Sequence, residues 1–471
     1  MLNKLSIKRP STVNMKKIFL TLTLALASLP MLQAQTAREE IYENPLRAGG
    51  NYLAYLDPVK PLTKSPKGYE PFYISHYGRH GSRWLLSDWD YSNLIAILGK
   101  ADRLGKLTAK GKQVLDDMQE FYPTTIGRLG DLTTVGERQH HQIGKRMTEH
   151  FPSVFKGTPY VDARSTVVLR CILSMTAECE EIMAYNPNTR MHNDVSESFQ
   201  YYLNQGWSGE VARQGNNRVR QEAVANAKRE YAHPDRFCSQ LFNDPQYIRD
   251  SIDANSFMRH TFEMATNMQS HDTDIDFMDL FTKEEIYDLW KIKNIDWYLG
   301  YGAAPQTGGI MPFSQENLLK NILATADTIV GKTDWNGATL RFGHEICVMP
   351  LACLLELDSC GRQVDDLTTL DEKWVNYRIY PMGCNIQLVF YRPKSGKGDI
   401  LMKALLNEAE ATLPLPTDNF PYYKWTDFKH YFEKKLADFD EQYPNAQTRV
   451  QSKSQSKPQP KSQPKEKRRK K

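Results

Sequence analysis

The chain has 471 residues, with 40% hydrophobic and 25% charged side chains. These are ordinary proportions for a folded globular protein, and they exclude wholesale disorder, a collagen-like repeat and a multi-span membrane protein. The formal net charge of +4 is a sum of unlike parts: residues 1–34 hold five Lys or Arg and no acid, residues 449–471 hold ten and one acid, and the body between them is acidic. Such a body needs no nucleic-acid partner to explain its charge, and it is long enough to bury a sizeable core without disulfides.

In chain order, the N-terminus reads as a signal peptide over residues 1–34. Lys16 and Lys17 precede the apolar run Ile18 to Leu32, and Leu32-Gln33-Ala34 supplies a cleavage site. No later stretch is apolar enough to span a bilayer, so the expectation is an exported protein, periplasmic or secreted. Phe72-Tyr73-Ile74-Ser75 reads as a buried strand, residues 133–150 as a helix capped by Thr133 or Thr134, and Tyr160 to Ala163 as a second strand that leads into a helix. Helical patterns then dominate residues 190–330, at 211–231, 283–293 and 315–330, and Thr282-Lys283-Glu284-Glu285 has the form of a capping box. Strand character returns at Ala338 to Phe342, followed by a helix over 345–357, a hairpin-like pair near 376–380 and 385–391, and a helix at 399–411.

This order predicts an α/β fold: a central, mostly parallel sheet flanked by helices, with an inserted, mostly helical domain. The expected divisions are a first α/β part over 35–189, a helical insertion over 190–330, a second α/β part over 331–447 and a disordered basic tail over 448–471. The seven cysteines form no CxxC pair and no zinc spacing. Export would permit a disulfide, but an odd count leaves one thiol over, and Cys171 and Cys347 sit in apolar helical patterns as buried thiols.

Ligands in open α/β sheets gather where strands end and helices begin, so three strand exits carry the chemistry. The first holds Arg79-His80-Gly81-Ser82-Arg83, two guanidinium forks around a histidine. Arginine matches phosphate oxygens, and a neutral imidazole nitrogen can attack phosphorus. The second holds Arg164-Ser165-Thr166, with Arg164 a further cation for the same site; Arg170, further on, reads as a packing or structurally paired residue. At the third, Arg341-Phe342-Gly343-His344-Glu345, a helix N-terminus favours an anion and an adjacent carboxyl can move a proton. A zinc-protease reading fails because Val348 stands four positions after His344.

Taken together, these segments resemble the histidine acid phosphatases, the acid-phosphatase and phytase branch of the histidine phosphatase superfamily. The likeness rests on Arg79 to Arg83, on Leu132-Thr133-Thr134-Val135-Gly136 with Gln139 and Gly144, on Arg164 to Thr166 and on His344-Glu345. Within that family the closest likeness is to the multiple inositol-polyphosphate phosphatases, through Leu340 to Glu345, Trp297-Tyr298-Leu299 and Ile400 to Glu408. Two departures stand out: Glu345 follows His344 directly where that group has an intervening alanine, and Leu85 replaces a frequent proline.

The resemblance implies His80 as nucleophile and Glu345 as proton donor, the two catalytic residues. It implies Arg79, Arg83, Arg164 and His344 as phosphate ligands, with no metal and no cofactor. The expected substrate is a small phosphate monoester, an inositol polyphosphate such as phytate; the alternatives are a broad acid or sugar-phosphate phosphatase, or a non-catalytic binder of phosphorylated ligands. Arg213, Arg218, Arg220, Lys228 and Arg229 read either as a basic pocket rim or as a solvated helix face.

Overall fold

The computed structural model describes residues 35–444, so the expected signal peptide and basic tail lie outside the described residues. A sheet of eight strands runs through the molecule: β1 (Tyr69–Arg79), β2 (Tyr160–Ser165), β3 (Arg190–Val195), β4 (Gly337–Gly343), β5 (Asn385–Pro393), β6 (Leu401–Leu406), β7 (Ala409–Ala411) and β8 (Tyr423–Lys424). Their order is β3-β2-β4-β1-β5-β6-β7, with β8 beside β6. The half from β3 to β1 is parallel, and the half from β1 onward is antiparallel. The parallel half carries the site. Every residue of β4 is buried, as is β1 from Phe72 onward, which is the pattern of strands covered on both faces.

Alternation along β1 assigns the two faces. Ile74 joins Val161, Ala163, Leu340 and Phe342 in a core covered by helices Thr134–His150 and Leu169–Tyr185. Tyr73 and Tyr77 face the other core, with helices Glu316–Val330 and Glu345–Leu354. That second core is continuous with the helical layer, in which helices Arg218–Tyr231, Pro234–Leu241, Ala254–Asn267 and Lys283–Tyr301 take part. The capping box at Thr282 forms as its spacing predicts: the Glu285 N–H donates to the Thr282 hydroxyl and the Thr282 N–H to the Glu285 carboxylate.

Several expectations are corrected. The helical layer is not confined to residues 190–330: helices Trp89–Arg103 and Ala109–Phe121 pack into it against Ala254–Asn267 and Pro234–Leu241. Its first six residues belong to the sheet as β3, an edge strand whose exposed polar side chains hide its strand character. The helix expected over 211–231 is two, Gly209–Gly215 and Arg218–Tyr231, because the Asn217 side chain accepts from the Arg220 N–H and starts a new one. The helix expected at 399–411 is instead β6 and β7, and the first arm of the expected hairpin is a 3-10 turn at Asn376–Arg378. All seven cysteines are buried free thiols. No helix of the described residues is long and apolar enough to cross a membrane.

Candidate active site

The three strand exits meet because their strands are adjacent and in step. Arg79 pairs with Gly343 across β1 and β4, and Ser165 with Phe342 across β2 and β4. Beyond the last pair, the His80 N–H donates to the Gly343 carbonyl and the Gly383 N–H to the His80 carbonyl. The nucleophile loop is thereby stitched between two strand ends.

That loop is gripped from the side by the helix Thr134–His150. Thr133 caps it and its hydroxyl donates to the Ser82 carbonyl, while Gln139 accepts from the Ser82 N–H and donates to the Ser82 hydroxyl. A Cβ on Gly136 would stand 2.2 Å from the Ser82 carbonyl oxygen, and one on Gly81 would stand 2.4 Å from that of Gly136. The Leu132 to Gly136 motif is therefore a packing surface for the catalytic loop, with glycine where two backbones touch.

Within the loop, His80 is fully buried. Its Nδ1 lies 2.8 Å from the Gly81 carbonyl, which can only accept, so Nδ1 carries the proton and Nε2 presents a lone pair. Nε2 has no hydrogen-bond partner and lies 3.8 Å from a Glu345 carboxylate oxygen. Burial, followed by the charges of Arg79, Arg170, His344 and Arg83, holds the His80 pKa well below its ordinary value. This favours the neutral imidazole.

Around it, Arg79 is anchored by the Asn51 and Tyr380 carbonyls at 2.7 and 3.1 Å, and its Nε lies 3.0 Å from Glu345. Arg83 donates to the Trp84 carbonyl and lies over the Tyr52 ring. Arg79 Nη2 and Arg83 Nε are buried without a partner. Buried donors left unsatisfied are costly in a folded protein, and here they surround the nucleophile. His344 caps the helix Glu345–Leu354, its ring 5.6 Å from that of His80, and burial pushes its pKa down to about 4. Burial raises the Glu345 carboxyl, but Arg79, Arg83, His344 and its own backbone N–H together outweigh it and hold the group at about 2.

Arg164 is a correction. It lies two residues after Asp162 on the same face of β2, pairs with it at 3.1 Å and stacks over Phe199, and its charge bears on Arg341. The cation delivered from the second exit is Arg170. The helix begins at Leu169, so Arg170 lies in its first turn, held by the Gly130 carbonyl, and its charge reaches both His80 and His344. Arginine six residues after Arg164, in the opening turn of a helix that leaves a site strand, was the available signal. His80, His344 and Glu345 also bring one donor atom each within 4.8 Å, a set that could hold a metal. Three arginines facing that set suit an anion better than a cation.

Of the rim candidates, Arg213, Arg218, Arg220 and Arg229 are engaged by Glu210, Glu222, Asp296 and Asn226 respectively. Of these, Lys228 lines a cavity of about 260 Å³ beside the site, with Arg259, Lys293, Glu263 and Asp296. Asn51 and Tyr52, which touch Arg79 and Arg83, form its inner wall.

A buried histidine with a free lone pair, ringed by arginines and faced by a carboxyl group, is a set of groups suited to phosphate chemistry. The chain belongs to the histidine phosphatase superfamily, branch 2, whose profile matches residues 78–407, and it is a histidine-type phosphatase. In fold it is similar to the multiple inositol polyphosphate phosphatase of Bifidobacterium longum in complex with inositol hexasulfate (TM-score 0.68, 17% identity, covering 82% of this chain and 97% of that one). It is also similar to the phytase from D. castellii (TM-score 0.66, 16% identity, covering 89% and 92%). A search of curated proteins returns no match.

Proposed function

We propose that this chain is an exported phosphomonoesterase that hydrolyses inositol polyphosphates such as phytate through a phosphohistidine intermediate. The observation that carries the chemistry is the buried His80 Nε2, unpartnered and 3.8 Å from Glu345. In the first step Nε2 forms a bond to phosphorus as the ester P–O bond breaks, and the departing alkoxide takes a proton from Glu345. In the second, water attacks phosphorus, gives its proton to the Glu345 carboxylate, and the P–N bond breaks. Arg79, Arg83, Arg170 and His344 balance the charge on the transferring group.

Glu345 at about 2 is ionised in the ligand-free site, whereas the first step needs its proton. A phosphate dianion entering among the arginines offsets the field that holds the carboxyl down, so Glu345 gains a proton as substrate binds. This coupling favours acidic pH. The substrate class is supported by the cavity beside the site: Lys228, Arg259 and Lys293 outnumber Glu263 and Asp296 in its lining and add positive charge next to the arginines, suited to a ligand with several anionic groups. The fold likeness to an enzyme crystallised with inositol hexasulfate agrees with this reading.

The test is phosphate release from phytate, glucose 1-phosphate and an activated aryl phosphate across pH 3–8. Preferred turnover of phytate in acid, with acid-labile phosphate trapped on His80, is the expected result. Equal turnover of all three would make it a broad phosphatase, and tight phosphate binding without turnover would make it a binding protein.

A further inference from the structure

Behind the nucleophile, and untouched by the mechanism above, three ionisable side chains lie together with 1% exposure or less: His76 on β1, His140 on helix Thr134–His150 and Glu178 on helix Leu169–Tyr185. Glu178 Oε2 accepts from His140 Nδ1 at 3.1 Å, and Oε1 lies 3.8 Å from His76 Nε2. The Phe342 ring lies against both imidazoles. Burying a carboxylate between two imidazoles costs stability that three packed hydrophobic side chains would not. What the trio supplies is a fixed geometry.

That geometry bears on the catalytic loop. Gly81 is squeezed between the same two helices: its Cα faces the Gly136 carbonyl on one, and its N–H donates to the Ser174 hydroxyl on the other at 3.1 Å. Its carbonyl accepts from His80 Nδ1 and shares a peptide unit with the Ser82 N–H that Gln139 holds, while its N–H belongs to the peptide before, so the two peptides flanking Gly81 set the direction of Nε2. Ser174 stands one turn before Glu178, and Gln139, which holds Ser82, adjoins His140. The helices approach closely, since a Cβ on Gly144 would lie 2.7 Å from the Glu178 carbonyl oxygen. The Glu178–His140 bond is the fully buried polar fastening of this pincer, beside the half-buried His141–Glu181 pair at 2.9 Å, and His76 joins it to the strand that ends in Arg79 and leads into His80.

We propose that Glu178, bridging His140 and His76, is a positioning residue: it sets the spacing of the two helices and, through Ser174 and Gln139, the two peptides flanking Gly81 that orient His80. The proposal rests on the phosphohistidine reading above for its effect on rate, but not for its effect on the His80 ring. The experiment compares Glu178→Gln, which keeps the volume, and Glu178→Ala, alone and combined with Ser174→Ala, in the full-length enzyme with an aryl phosphate substrate. Two readouts are taken: kcat against KM, and the ¹⁵N NMR signal of His80 Nδ1–H.

The expected result is a fall in kcat of about tenfold for Gln and about a hundredfold for Ala with KM within about twofold. It includes a displaced or broadened His80 Nδ1–H signal, and an added loss under about threefold once Ser174 is already alanine. Wild-type kcat in both variants would overturn the proposal, as would an unmoved His80 signal, or losses that simply add to that of Ser174→Ala. If Glu178→Ala does not fold, Glu178→Gln decides by the same readouts. A wild-type enzyme that releases no phosphate would remove the phosphohistidine reading, and the NMR signal would still decide the positioning role.

Discussion

Two regions of this molecule carry clusters of arginine and use them in opposite ways. On the helical layer, Arg213, Arg218 and Arg220 each have an acid of their own, in Glu210, Glu222 and Asp296. At the strand exits, Arg79 pairs with Glu345, while Arg79, Arg83 and Arg170 are held mainly by backbone carbonyls and keep buried donors unspent. A carbonyl anchors a guanidinium without cancelling its charge, whereas a carboxylate cancels it. Cations become a binding site where the fold fixes them on neutral acceptors.

That contrast can be broken or sharpened by substitution. The largest effect belongs to the centre of the ring: His80→Ala should reduce phosphate release by about 10⁴-fold or more while leaving thermal unfolding little changed. Next, Arg170→Ala should cost about 10²–10³ in kcat. Arg164→Ala, on the same strand exit, should stay within about threefold, since its charge is spent on Asp162; steady-state kinetics of the pair measure the contrast directly. Glu345→Gln should slow an alkyl phosphate about a hundredfold and an activated aryl phosphate under tenfold, because only the alkoxide needs its proton. Equal losses would remove its role as acid.

A smaller effect concerns pH and stability. His76, His344 and His271 are each held by burial at about 4, below the ordinary histidine value. The unfolded chain therefore binds protons that the native state refuses, and the unfolding midpoint should fall as pH drops from about 6.5 to about 4. Glu345, depressed to about 2, contributes stability that is present above its ordinary 4.5 and lost below it. Inorganic phosphate should offset part of this acid loss by binding the folded site. Differential scanning calorimetry across that range, with and without phosphate, checks both signs.

Much of this site was legible in the sequence, for a physical reason: apolar runs that end abruptly in Arg-His-Gly or Gly-His-Glu mark places where a buried strand delivers charge to one edge. What was not legible turned on local periods. Arg164 stands at the end of β2 and Arg170 just after it, and only the helix start at Leu169 decides which one turns toward His80. Leu401 to Ala409 is rich in helix-forming residues, yet β5 offers it an unpaired edge and pairing overrides propensity. The helices at 89–121 join the cap through tertiary packing alone, which no single-chain pattern announces.

The strand order sets a schedule for folding. β1 and β2 are made early, but they cannot pair with each other, because β4 occupies the slot between them and arrives only at Gly337–Gly343. Until then each exposes an unsatisfied edge, and Arg79 has neither His344 nor Glu345 beside it. The centre is thus assembled from pairings between strands far apart in the chain, which form slowly, and activity should be among the last properties to return when the denatured chain refolds.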